Sequence, residues 1–319
     1  MTPLERRYRA VLRLLPAAYR AEREEEMVDT FMEAAGGGLR RPGWGEIASV
    51  LALSARVRLG GPGAPPRHLA WGAAVRLVAL LGLAYQTAYA AFGLAGLPYL
   101  LSYEGDAGLL GTAGSADRLG AIADYGFPCC SAVAFVAVMH GRPRTAKAAA
   151  VLGALPALAG ATAMAPSLRD LVALVFTAVP VIALLLAFPG DAAPPRRGRW
   201  LTVVPLVAGL IGYGLSTAAA AAGGVRLSPW SEPLGMAVVA LVAAAPFVAA
   251  RGRSPGPALA LAAAGALLLI VRLPAVIGLP LEQASAGVTA MFLAQCALLV
   301  PLVVVFAWRG WRSLPPARP

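Results

Sequence analysis

From Leu69 onward, long apolar runs alternate with short charged connections, whereas the first 68 residues carry charge throughout. A helix that crosses a bilayer needs about 20 mainly apolar residues. Eight stretches meet that length: about 69–97, 119–139, 147–165, 171–188, 201–222, 234–250, 257–278 and 287–307. The third, fourth and sixth are the shortest. The pattern predicts an all-α membrane protein: eight transmembrane helices in a bundle over 67–319, behind a small three-helix cytoplasmic domain over 1–66. A short basic stretch followed at once by an apolar run would signal a cleavable leader. The chain does not open that way, so the first span is expected to serve as its own insertion signal.

Inside the first 60 residues the spacing turns amphipathic. Leu4, Tyr8, Val11, Leu12 and Leu15 recur at helical intervals and line one face, flanked by Arg6, Arg7, Arg9 and Arg13. Pro16 ends this helix and suits the first turn of the next, where a missing N–H costs nothing. The second helix sets Tyr19, Met27, Phe31 and Ala35 against a solvent face of Glu22, Arg23, Glu24, Glu25, Glu26, Asp29 and Glu33. Gly36-Gly37-Gly38 stops it, because three glycines lose too much backbone entropy to stay helical. A third helix from Trp44 is expected to bury Trp44, Ile47, Val50, Leu51 and Leu59. Residues 60–66, rich in Gly and Pro, form a hinge.

Charge sorts the connections into two sets. One holds Arg142, Arg144 and Lys147; Arg196, Arg197 and Arg199; Arg251 and Arg253; and Arg309, Arg312 and Arg318. The alternate set holds Glu104, Asp106, Asp117, Asp170, Glu232 and Glu282 against Arg118, Arg169 and Arg226. Basic residues accumulate on the cytoplasmic side of inner-membrane proteins. The basic connections follow spans two, four, six and eight, so both termini are expected in the cytoplasm. Trp71, Trp200, Trp308 and Trp311 at the inner ends, with Tyr99, Tyr103 and Trp230 at the outer, suit the headgroup level.

Composition agrees. The chain is 59% hydrophobic and 13% charged, with a mean hydropathy of +0.70; soluble domains carry about a quarter charged residues. A net charge of +11 invites a nucleic-acid reading, but its placement in short clusters between spans argues for a lipid partner and against nucleic acid. Cys129, Cys130 and Cys296 fall within apolar runs and read as small helix residues. Pro128, Pro156, Pro180, Pro205, Pro246, Pro274 and Pro301 recur within spans, as proline does in membrane helices generally. His140-Gly141-Arg142-Pro143 before the third span echoes Arg251-Gly252-Arg253-Ser254-Pro255 before the seventh, which suggests two four-helix halves.

An ionisable group in lipid is costly and marks a functional candidate. Arg76 lies near the inner end of the first span, where its stem can reach the headgroups. Asp124 and Arg272 lie at similar depths in the second and seventh spans and are candidates for an intramembrane ion pair. Tyr85, Gln86, Tyr89 and Phe92 give the first span a polar-aromatic stripe. With Gln295 of the last span, expected to hydrogen-bond a neighbouring helix, Tyr85, Gln86 and Tyr89 are candidates for a polar pocket. No catalytic residue, metal site or cofactor is expected. His68 and His140 have no ligands at metal spacing, and neither a Walker-type glycine loop nor a nucleophile elbow occurs.

Leu12-Arg13-Leu14-Leu15-Pro16, then Tyr19-Arg20, Glu25-Glu26-Met27 and Phe31, resembles the helical prefix domains of bacterial membrane proteins, especially permease prefix domains and related PadR-associated (HAAS-like) proteins. Glu22-Arg23-Glu24 stands where that pattern carries a glycine. The Ala/Arg/Gly/Pro-heavy remainder resembles integral membrane proteins of high-GC actinobacteria. The resemblance implies a cytoplasmic interaction module on a membrane body. The function expected is therefore that of a non-enzymatic polytopic inner-membrane protein with a partner-binding or signalling module at 1–60. The alternative is a permease or transport subunit, with a polar cavity near Tyr85, Gln86 and Gln295.

Overall fold

The computed structural model describes residues 2–34, 43–60, 66–103, 116–163, 165–188, 199–221, 228–250, 254–277 and 286–316. The side chains of 99–103, 116–124, 199 and 200 fall outside this description, with a few others. Among the described residues the chain is helical and has no strand. It divides into two compact units, one of residues 1–73 with 314–319, the other of residues 74–313.

The first unit holds α1 (Pro3–Leu12), α2 (Ala17–Ala34) and α3 (Trp44–Arg58). Thr2 and Glu5 form a reciprocal capping box that starts α1. Leu12, Leu15, Val28 and Val50 are buried together, with Tyr19, Met27 and Phe31 packed around them. The Tyr8 ring stacks on Phe31 at 5.2 Å, and its hydroxyl donates to Glu46 Oε2 at 2.8 Å. Ser54 and Arg58 of α3 both donate to the Leu14 carbonyl, at 2.6 and 3.0 Å, in the turn that ends α1. Arg9 grips Glu25 through two bonds of 2.9 and 3.0 Å, tying α1 to α2.

The expected stripes of α1 and α2 supply most of this core, with Val28 added from α2; Ala35 lies outside the described residues. In α3 the structure differs: Trp44 is 87% exposed and Leu51 half-exposed. Glu46, Val50 and Ser54, four residues apart, set the inward face. Trp44 lies roughly 120° round the helix from Val50 and Leu51 roughly 100°, at about 100° per residue.

The second unit continues α4 (Pro66–Tyr103) and adds α5 (Ala116–Met139), α6 (Pro143–Ala161), α7 (Leu168–Ala187), α8 (Val203–Ala221), the short α9 (Ser228–Ser231), α10 (Pro233–Ala250), α11 (Pro255–Ile277) and α12 (Ala286–Arg312). Among the described residues six helices are long and apolar enough to cross a membrane: Pro66–Pro98, Asp170–Ala187, Val203–Ala221, Pro233–Ala250, Pro255–Pro274 and Ala286–Arg312. The second predicted span is the helix α5, of which Tyr125–Met139 forms a shorter apolar segment. The third is α6, whose first turns carry Arg144 and Lys147. The remainder, 148–161, covers roughly 21 Å at about 1.5 Å per residue, against a hydrocarbon thickness of about 30 Å.

The turn between α5 and α6 follows directly from its residues. Gly141 has φ +71°, and the amides of Gly141 and Arg142 return to the carbonyls of Val138 and Ala137. This Schellman closure favours glycine at that position. Pro143 then opens α6. At the other end, Ser167 and Asp170 form a capping box that starts α7.

Two apolar clusters fill the unit. Leu83, Phe135, Val138 and Leu184 centre one, drawn from α4 to α7 with Ala260 of α11; Val238, Leu268, Leu299 and Phe306 centre the other, drawn from α10 to α12. Small residues permit the closest approaches: a side-chain carbon at Gly209 of α8 would collide with the Ala88 carbonyl of α4.

Two outcomes test the first unit. Leu12 is fully buried, so Leu12→Ala should cost about 2–5 kcal/mol, read as lost hydrogen-exchange protection across 3–58 of the intact chain. Burial first, and then the hydrogen bond to Glu46, push the Tyr8 phenol up to about 12. Its neutral form therefore adds stability that is complete below the unfolded tyrosine value of about 10 and is lost as pH rises toward 12. Subtracting the 295 nm titration of Tyr8→Phe from that of the natural chain should show one phenol ionising near 12; a midpoint near 10 would contradict the buried contact.

Candidate functional site

Arg272 and Gln295 form the most buried polar cluster of the second unit. Arg272 is 4% exposed and Gln295 is fully buried. Arg272 lies on the last turns of α11, Gln295 about 14 Å into α12 at 1.5 Å per residue. Arg272 Nε donates to Gln295 Oε1 at 2.6 Å, and Gln295 Nε2 donates to the Pro229 carbonyl of α9 at 2.8 Å. A second guanidinium nitrogen of Arg272 donates to the same carbonyl at 3.2 Å. The remaining one lies 4.0 Å from Glu232 Oε2, and the Phe292 ring covers the guanidinium at 4.5 Å.

The backbone explains why that carbonyl is available. α9 is one turn long, and Pro233, four residues beyond Pro229, has no N–H to donate to that carbonyl. α9 folds back on α10 at Gly235, where a side-chain carbon would collide with the Pro229 carbonyl. Ser231 of α9 bonds Ser216 of α8 at 2.9 Å, which holds the short helix from the other side. A buried cation needs its donors satisfied and an opposite charge near. Here all three guanidinium nitrogens are engaged, and Glu232, 42% exposed, is the charge partner.

The aromatic stripe of α4 divides. Tyr85 packs against the α10–α12 cluster, edge-on to Phe176 at 4.8 Å, within electrostatic range of Arg272 and Glu232. Tyr89 stacks on Tyr85 at 6.5 Å but faces outward, 52% exposed. Gln86 is 9% exposed, and among the described residues neither end of its amide has a hydrogen-bond partner. Thus Gln295 bonds Arg272 directly and Tyr85 lies within electrostatic range of it, whereas Tyr89 turns outward. Asp124 belongs to α5, and its side chain lies outside the described residues. Among those described, the carboxylate beside Arg272 is Glu232, which the sequence marked only as part of an acidic connection. Pro229 and Phe292 carried no signal, since a backbone acceptor and a ring face have no characteristic spacing.

Two further arginines meet helix ends. Arg76 Nε donates to the Ala187 carbonyl, the last residue of α7, at 3.1 Å. Arg309 donates to the Ala249 carbonyl near the end of α10 at 3.2 Å. Both satisfy carbonyls that a helix leaves open at its C-terminus.

Comparison with protein-family models, curated proteins and solved structures gives no match to this chain.

The Arg272–Gln295 bond generates a coupling. Arg272→Met or Gln295→Leu alone leaves a buried polar partner unmatched, at about 1–3 kcal/mol each. The double variant removes both, and should fall short of the sum by about 0.5–3 kcal/mol. Thermal unfolding of the four proteins in detergent measures this; strictly additive losses would mean that the two side chains act independently.

Proposed function

We propose that this chain is a non-enzymatic, multi-pass inner-membrane protein whose first unit is a cytoplasmic module for binding a protein partner. The observation that carries the reading is the contrast inside α1–α3. The helices bury a core of their own, yet α3 leaves Trp44 and Leu51 turned outward. Large apolar side chains exposed together on a small unit mark a contact surface. The polar groups of the second unit support a scaffolding role, because Arg272 and Gln295 spend their hydrogen bonds on each other and on the Pro229 carbonyl.

The proposed topology has eight spans with both termini in the cytoplasm. The partition of charge among the connections supports it, as does the packing of α5 and α6 into the same cluster as α4 and α7. Arg144 and Lys147 stand at the start of α6, where long stems can reach the headgroups. A permease is the second reading, and Gln86 favours it: a buried amide with neither end satisfied among the described residues suits a polar path through the bundle.

Three measurements on the intact chain in cells separate these readings. Reporter fusions at 141 and 195 should score cytoplasmic and fusions at 110 and 165 external; the reverse pattern overturns the topology. A photoreactive residue replacing Trp44 should give one discrete protein adduct, lost on Leu51→Asp, whereas lipid adducts alone would make this face a membrane contact. Gln86→Cys should resist membrane-impermeant thiol reagents, and rapid labelling would favour transport.

A further inference from the structure

The last turns of α12 bring two cations together. Arg309 and Arg312 are three residues apart on one face, a spacing at which like charges repel. Among the described residues neither forms an ion pair with a carboxylate. Arg309 is anchored by its bond to the Ala249 carbonyl. The Arg312 guanidinium lies 4.2 Å over the ring of Trp308, which is itself 55% exposed.

Both arginines line a hollow of about 220 Å³ where α10 ends, α11 begins and α12 ends. Its walls differ in kind. Val248, Ala258 and Phe306 supply apolar lining, and Arg309, Arg312 and Ser254 polar lining. Ser313 also borders the hollow, but its hydroxyl donates back to the Arg309 and Gly310 carbonyls, which leaves it as an acceptor only. Among the described residues, the donors left for a ligand are the guanidinium N–H groups that do not bond Ala249, and the Ser254 hydroxyl.

We propose that this hollow binds the phosphate of an anionic phospholipid, with Arg309 and Arg312 on the phosphate oxygens and the Val248–Ala258–Phe306 wall against the glycerol and first acyl carbons. Guanidinium groups match phosphate by charge and by forked geometry. A doubly basic, water-accessible notch at the end of a membrane helix is where the headgroup region supplies such an anion. The apolar wall selects a lipid over free phosphate, which shares the charge but has nothing to bury there. The site needs only that this end of α12 meets a lipid surface, whichever leaflet that is, so it stands or falls separately from the partner-binding reading above.

The test uses the full chain in nanodiscs of phosphatidylcholine and phosphatidylglycerol, with retained lipid counted by native mass spectrometry. The natural chain should keep phosphatidylglycerol in preference to phosphatidylcholine. Retention should drop about fivefold for each arginine removed, in Arg312→Gln and again in Arg309→Gln/Arg312→Gln. Arg312→Gln matters most, since its guanidinium touches only the exposed Trp308 ring and its loss leaves the helix contacts intact. In a parallel arm, lipid-free protein in detergent is titrated with inorganic phosphate, which should show no saturable binding. Equal retention of the two lipids, undiminished retention in the double variant, or inorganic phosphate saturating the site and displacing phosphatidylglycerol would each overturn the proposal.

Discussion

A helix leaves its last carbonyls without partners, and hydrocarbon offers no water to accept that deficit. Much of the polar architecture of the second unit answers this one constraint. Arg76 of α4 reaches the carbonyl of Ala187 at the end of α7, and Arg309 of α12 reaches that of Ala249 at the end of α10. Arg272 and Gln295 together serve the carbonyl of Pro229 in the one-turn α9. In each case the donor comes from a different helix than the acceptor. Satisfying a local backbone group thus joins distant parts of the chain.

Packing in the unit obeys a related limit. Lipid tails are as apolar as leucine, so burying leucine against another helix gains little, and close van der Waals fit with interhelical hydrogen bonds must hold the bundle. Gly209 of α8 and Gly235 of α10 permit backbone approaches that any side chain would block. The Arg272–Gln295 pair sits beside the α10–α12 cluster, where desolvating a cation is expensive. Three engaged nitrogens, the Phe292 ring and Glu232 offset that cost. What results is a buried cation tied to α9 and α12 by hydrogen bonds.

The first unit follows the physics of water. Its small core gains from apolar burial, and cross-helix bonds to the Leu14 carbonyl and from Tyr8 to Glu46 fix the angle at which α3 meets α1. A unit of about 60 residues is near the lower limit for independent stability, and its outward Trp44 adds nothing to the core.

Much of this was legible in the residues themselves. Apolar run length marked the helices, and hydrophobic spacing marked the inward faces of α1 and α2. His-Gly-Arg-Pro wrote the α5–α6 turn through glycine's freedom at positive φ and proline's at a first helical position. These are local properties, set by a few neighbouring residues, and a linear pattern records them. Tertiary structure alone decided what Arg272 touches. Its partners Gln295 and Pro229 are 23 and 43 residues away, and one acceptor is a backbone carbonyl, a group present at every residue, left open here in a one-turn helix that folds back at Gly235. It also decided that Trp44 faces out while Val50 faces in, because the inward face of α3 is chosen by the two helices it meets. Periodicity tells which residues share a side; only the neighbouring helices determine which side is buried.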